Sequence, residues 1–182
     1  MTLNAITSTP AEVTSLAADD TISYAFGRST LGQVLVARSA KGICAVLIGS
    51  DRDRLAKDLR RDFPEAQEVE MGRPEDIAAV VALIEAPHKP VELTLDLRGS
   101  DFEVAVWQGL RALTAGKTMS YSALAEAIGK KGMAREVGEA CAMNRIAVAV
   151  PCHRILRKDG SISGYRWGVH RKRMLLEREG AI

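Results

Sequence analysis

The 182-residue chain is poor in aromatic residues, with three Phe, three Tyr and two Trp, and it holds only three cysteines and three histidines. Cys44, Cys141 and Cys152 are odd in number and widely spaced, which argues against a disulfide framework. No CxxC or HxxxH pair links them to His88, His153 and His170, so no metal site is expected. No run approaches the roughly 18 to 20 apolar residues that a membrane span needs. The first 20 residues lack both a basic start and a continuous apolar stretch, so no secretory signal is expected, and the expected compartment is the cytoplasm. With 47% apolar and 26% charged residues, 15 glycines and 6 prolines, the composition excludes disordered and low-complexity architectures. The length suits one generous domain or two small ones sharing a surface.

Net charge is only +2, but it is unevenly distributed. Residues 1–97 carry 10 basic against 15 acidic side chains, and residues 98–182 carry 15 against 8. The basic half is where an anionic partner would bind, although a lopsided solvated surface gives the same count.

Residues 1–20 read as a loose lead-in. Three short apolar segments follow, Ile22 to Ser29, Gly32 to Arg38 and Gly42 to Ile48, separated by tight turns, and they predict an antiparallel meander. Leu55, Leu59 and Phe63 place a helix over 51–63, and Ile77, Val80, Val81 and Ile84 place another over 74–86. Alternation of Val91, Leu93, Leu95 and Leu97 predicts a half-buried strand over 91–97. The expected fold class is therefore α+β, with an N-terminal α+β domain over 21–98 and a helical domain over 99–182.

In the second half, Asp101 to Leu113 reads as a helix with Ser100 as its N-cap. Two short helices, over 120–128 and 133–143, flank Gly129-Lys130-Lys131-Gly132 and suggest a helix-turn-helix. An apolar, strand-like run over 146–150 precedes Pro151-Cys152-His153-Arg154, and a last helix spans about 170–179. His170, among Arg171, Lys172 and Arg173, reads as a solvated helix start, although that cluster would also suit a phosphate.

Cys152-His153 is the pair most suggestive of chemistry. A cysteine attacks as thiolate, and at its ordinary pKa of about 8.5 it needs a neighbouring base or a positive environment. Glu179 could orient the imidazole as a third member. A buried structural cysteine fits the same residues, and packing alone accounts for Cys44 and Cys141.

Pro151-Cys152-His153-Arg154, with Ser163-Gly164-Tyr165-Arg166-Trp167-Gly168 eleven residues after the cysteine, is a specific combination. Phe102, Val106-Trp107, Ser120-Tyr121, Arg135 and Asn144 add to it. On these residues the chain resembles the O6-alkylguanine-DNA alkyltransferase family, and within it the C-terminal repair domain of the bacterial Ada adaptive-response proteins. The similarity extends more weakly back to about Ile22.

The resemblance implies an N-terminal ribonuclease-H-like sheet with helices and a C-terminal alkyltransferase domain. It implies direct-reversal DNA repair, in which Cys152 takes the methyl or alkyl group from guanine O6 once per molecule and keeps it as a thioether. His153 would draw the thiol proton, Glu179 would orient His153, and Tyr121 would donate to N3 of the leaving guanine. Asn144 would brace the loop before the cysteine. Arg135 would fill the gap left by the extruded nucleotide, since a stacked base hides O6. Tyr165 would wall the pocket, with backbone groups near Cys152, Ile155 and Arg166 reading the guanine edge. Lys130, Lys131, Arg145 and Arg157 would contact phosphates. The implied partner is double-stranded DNA carrying alkylated guanine, met by a monomer without metal or cofactor.

Glu136 and Glu139 depart from the family pattern, which has small uncharged residues there. They imply that these carboxylates point aside, that DNA binding is weak, or that the acceptor serves a non-duplex or small-molecule substrate. The cysteine-rich zinc domain and AraC-like region of full-length Ada proteins have no counterpart in these residues, so transcriptional autoregulation is not carried over. A non-catalytic binder of alkylated DNA is the rival reading, and Cys152 argues against it.

Overall fold

The computed structural model describes residues 21–68 and 72–182. The expected lead-in at 1–20 lies outside the described residues. The predicted meander forms as β1 (Ser23–Ser29), β2 (Gly32–Arg38) and β3 (Ile43–Gly49), each antiparallel to the next. Apolar side chains line most of β2 and β3, and Val34, Leu35, Ala37, Ile43, Ala45 and Val46 are fully buried. Such near-continuous burial requires cover on both faces. Helices α1 (Arg52–Asp62) and α2 (Pro74–Glu85) supply part of that cover through Leu55, Leu59, Val80 and Ile84. Asp51 caps α1 by accepting from the Arg54 N–H at 2.8 Å. A two-residue strand, β4 (Gln67–Glu68), adds to β1 in parallel, and the sheet order is β3-β2-β1-β4.

The strand expected over 91–97 does not form. Only Leu95 bridges to Ile43, through the Ile43 N–H to the Thr94 carbonyl at 2.9 Å and the Asp96 N–H to the Ile43 carbonyl at 2.8 Å. The reason lies in the open edge of β3, which is shared. At Val46 the same edge pairs with residues 145–147 of the second half. A continuous partner strand has no room there, and the alternating leucines instead stay half-buried in an extended segment.

Helix α3 (Asp101–Arg111) starts at Ser100, which forms a capping box with Glu103 and buries Val106, Trp107 and Leu110. Trp107 Nε1 donates to the Ala140 carbonyl at 2.9 Å and so ties α3 to α5. Strand β5 (Met119–Ser120) leads into α4 (Tyr121–Ala127), and α5 (Ala134–Ala142) follows across a turn in which Gly129 and Gly132 have φ of +73° and +88°. β5 pairs in parallel with β6 (Ile155–Leu156), and α6 (Val169–Arg178) closes the chain against the 3-10 turn at Cys152–Arg154. The architecture is α+β, as expected. Among the described residues no helix is long and apolar enough to cross a membrane.

Candidate active site around Cys152

The apolar run over 146–150 is a buried turn rather than a strand. Ala149 N–H donates to the Ala147 carbonyl at 2.7 Å, Val150 N–H to Ile146 at 3.1 Å and Cys152 N–H to Val150 at 2.8 Å. Val148 sits at φ +65°, a conformation that costs a β-branched residue about 1–3 kcal/mol and that survives only where neighbours impose it. Asn144 imposes it. This buried amide accepts from the Ile146 N–H at 2.9 Å and donates to the Val150 carbonyl at 2.9 Å, closing the turn at both ends. The same amide nitrogen lies 3.2 Å from Cys152 Sγ.

Cys152 therefore opens its 3-10 turn with its sulfur held by Asn144 and almost wholly buried. Burial pushes the thiol pKa up, and the Asn144 hydrogen bond and the Lys172 charge oppose that rise. His153 is fully buried, with Nε2 2.8 Å from Glu179 Oε1. Burial pulls the imidazole pKa down despite the carboxylate beside it, so the ring is neutral. Burial raises the Glu179 pKa, but hydrogen bonds from His153 and Arg154 outweigh it and hold the carboxylate at about 2. Arg154 donates to both Glu179 oxygens, from Nε at 3.1 and 3.0 Å and from Nη2 at 2.8 Å, and the Gly116 N–H adds a bond at 3.1 Å. An ionised carboxylate only accepts. His153 must then carry its proton on Nε2, which leaves the lone pair on Nδ1. That nitrogen is buried and has no hydrogen-bond partner among the described residues.

The sulfur opens on a cleft of about 480 Å³ lined by Tyr121, Gly138, Cys141, Cys152, Tyr165 and Arg166, among others. Tyr121 heads α4, and its hydroxyl meets Ser163 Oγ at 2.5 Å. Burial raises its pKa, and Cys141 and Cys152 nearby add to the rise. Tyr165 packs edge-on against Trp167 at 5.2 Å, with its hydroxyl buried and driven well above its ordinary pKa by burial. Cys141 is also pushed up by burial, to about 12, so it is an inert thiol wall at neutral pH.

The other expected residues fall in three places. Ile155 is fully buried beside the site and its carbonyl accepts from Lys172 Nζ, so it does not line the cleft. Arg166 donates to the Asn144 carbonyl at 3.2 Å and reaches Asp62 at 3.4 Å. Arg145 also turns inward, to Asp62 at 2.8 Å and to the Arg98 carbonyl at 3.1 Å, so it is engaged within the protein. Lys130, Lys131 and Arg157 are exposed. Arg135 is 87% exposed in the first turn of α5 and pairs with Glu139 at 3.2 Å. Helical spacing aligns Arg135 with Gly138 and Ala142, both at the cleft, which puts the arginine on the side of α5 that leads to the sulfur. Glu139 thus turns along the helix toward Arg135, and Glu136 is exposed.

Sequence reasoning missed Lys172. It belongs to a cluster read as solvated, yet it is 1% exposed and donates to Ile155 O and, at 3.0 Å, to Ser163 Oγ. The signal was present: Lys172, Leu175, Leu176 and Glu179 fall at i, i+3, i+4 and i+7, the inward stripe of α6. Asp62 gave no signal, because its partners lie over 80 residues away. No cluster of metal-ligating side chains occurs among the described residues.

Residues 101–181 match the family model for the 6-O-methylguanine DNA methyltransferase DNA-binding domain. The chain is 44% identical over 160 residues to the bifunctional transcriptional activator/DNA repair enzyme Ada of Escherichia coli, covering 87% of this chain and 45% of that protein. It is 48% identical over 88 residues to a Mycobacterium bovis methylated-DNA–protein-cysteine methyltransferase, covering 48% of this chain and 53% of that one. The chain thus spans about half the length of these sequence relatives. The crystal structure of Mycobacterium tuberculosis OGT in complex with DNA superposes with a TM-score of 0.74 at 30% identity, over 87% of this chain and 93% of that one. With its cysteine, histidine and glutamate set into that same fold, the chain belongs to the O6-methylguanine-DNA methyltransferase family.

Proposed function

We propose that this chain repairs DNA by stoichiometric, irreversible transfer of a methyl or alkyl group from guanine O6 to Cys152. One observation carries the reading: a cysteine sulfur at a cleft, flanked by a buried neutral histidine whose tautomer is fixed by an ionised glutamate. His153 Nδ1 accepts the thiol proton through one bridging water, and Asn144 and the Lys172 charge favour the thiolate that forms. The thiolate attacks the alkyl carbon as the C–O bond breaks, and Tyr121 donates to N3 of the departing guanine, making it a better leaving group. Tyr165 walls the base. The thioether has no route of release, so each molecule acts once.

The substrate is duplex DNA with the damaged base flipped into the cleft, since O6 is otherwise stacked out of reach. Arg135 leaves Glu139 to fill the vacated stack; an exposed i,i+4 pair is worth only about 0.3–0.5 kcal/mol and yields readily. Lys130, Lys131 and Arg157 contact phosphates, and the protein acts as a monomer. The test is intact mass after incubation with a duplex bearing one O6-methylguanine. A gain of about 14 Da, limited to one equivalent and mapped to Cys152, is expected from thioether formation. No mass change in folded, reduced protein refutes the proposal.

A further inference from the structure

Two consecutive hydrogen bonds link three side chains from the protein interior to the cleft. Lys172 Nζ donates to Ser163 Oγ at 3.0 Å, and Ser163 Oγ meets the Tyr121 hydroxyl at 2.5 Å. Lys172 and Ser163 are buried, and Tyr121 faces the cleft beside Cys152. Because an ammonium only donates, the Ser163 hydroxyl receives from Lys172 and is free to give its own hydrogen to the Tyr121 oxygen. The Tyr121 O–H then points outward, to the space where a base would sit. Aligned this way, each bond polarises the next.

We propose that Lys172 and Ser163 form a proton relay that recharges Tyr121 as it protonates the departing base. The inference rests on the proposed transfer to Cys152 and deepens it. The steps balance. As the S–C bond forms and the C–O bond breaks, the purine leaves with the C–O electron pair and takes the Tyr121 proton at N3. Ser163 passes its proton to the Tyr121 oxygen, and Lys172 passes one to Ser163. Lys172 ends neutral, and the thiol proton ends on His153. One positive charge has moved from Lys172 to His153, and the site's net charge is unchanged. Burial lowers the Lys172 pKa, which eases its role as donor. The chain also spares Tyr121 from standing as a buried phenolate, which the raised pKa makes costly.

The experiment compares single-turnover transfer rates on two duplexes, one with O6-methylguanine and one with O6-methyl-3-deazaguanine, whose ring has no N3 to protonate. Ser163→Ala should slow transfer from the first by about 10- to 100-fold, Ser163→Thr should restore it, and Lys172→Met should slow it at least as much as Ser163→Ala. On the deaza duplex, where wild type is already slow, the Ser163→Ala rate should lie within about threefold of wild type, because no relay operates there. Equal slowing by Ser163→Ala on both duplexes, or none on either, overturns the relay while leaving the transfer reaction standing. If wild type transfers nothing from O6-methylguanine, the proposed function fails and the relay with it.

Discussion

Glu179→Gln isolates the part of the site where folding and chemistry share one charge. The carboxylate is held at about 2 against an ordinary 4.5 because His153, Arg154 and the Gly116 N–H all bind its ionised form. At 1.36 kcal/mol per unit, that depression corresponds to about 3 kcal/mol of stability at neutral pH. Glutamine keeps the shape, but it leaves the nearly buried Arg154 without its counter-ion, a change that typically costs about 3–5 kcal/mol. A folded-state pKa below the unfolded one gives stability that is complete above pH 4.5 and fades as the pH falls toward 2. The difference in unfolding free energy between wild type and variant should therefore be about 3 kcal/mol at pH 7, or about 1 M in urea midpoint, and should shrink steadily below pH 4.5. Transfer should fall by about 10²- to 10⁴-fold, because the new amide can donate to His153 Nε2 and shift the ring proton onto Nδ1, the atom needed as base. Urea unfolding across pH 3 to 7, alongside single-turnover kinetics, checks both. A variant within 1 kcal/mol of wild type at pH 7, with a pH slope parallel to it, would refute the argument.

Cys152→Ala should abolish mass gain while keeping affinity for the lesion duplex within a few-fold, as read by fluorescence anisotropy. Arg135→Ala should slow repair of duplex DNA by about 10- to 100-fold, reflecting the few kcal/mol needed to unstack a base, with no change in melting temperature because the side chain is exposed. Asp62→Asn releases both Arg145 and Arg166 and should cost about 1–3 kcal/mol in chemical denaturation, between the values for exposed and buried pairs. Replacing Lys130 and Lys131 together by alanine should lower the log–log salt dependence of duplex binding by about two.

The meander, the four longer helices and the glycine turn between α4 and α5 were legible because each carries its own local signal: Ser100 before α3, the glycines of the turn, tight turns between short apolar runs, or helical spacing of apolar residues. Cys152, His153 and Glu179 stood out by residue type and motif, and the structure places His153 Nε2 2.8 Å from Glu179 Oε1. What escaped depends on partners distant in sequence. Val91 to Leu97 alternates like a strand, but the edge it needs is divided between Leu95 and Ile146. The run from Ile146 to Val150 has strand composition, and the Asn144 side chain, together with the turn's own backbone hydrogen bonds, bends it with Val148 at positive φ. Arg145 looked like a cation for phosphate because nothing local marks Asp62 as its partner.

The edge of β3 bears on how the protein behaves in concentrated solution. Ile43–Gly49 reads Ile-Cys-Ala-Val-Leu-Ile-Gly, seven residues without a charge or a proline, a composition that stacks readily with copies of itself. What caps its outer rim is not another strand but two bridges, one from Leu95 and one from Ile146. The second belongs to the stretch that Asn144 and Arg145 hold down on the way to Cys152. The loop that presents the nucleophile is thus also a guard against self-association, and any change that lifts it uncovers a template for strand addition.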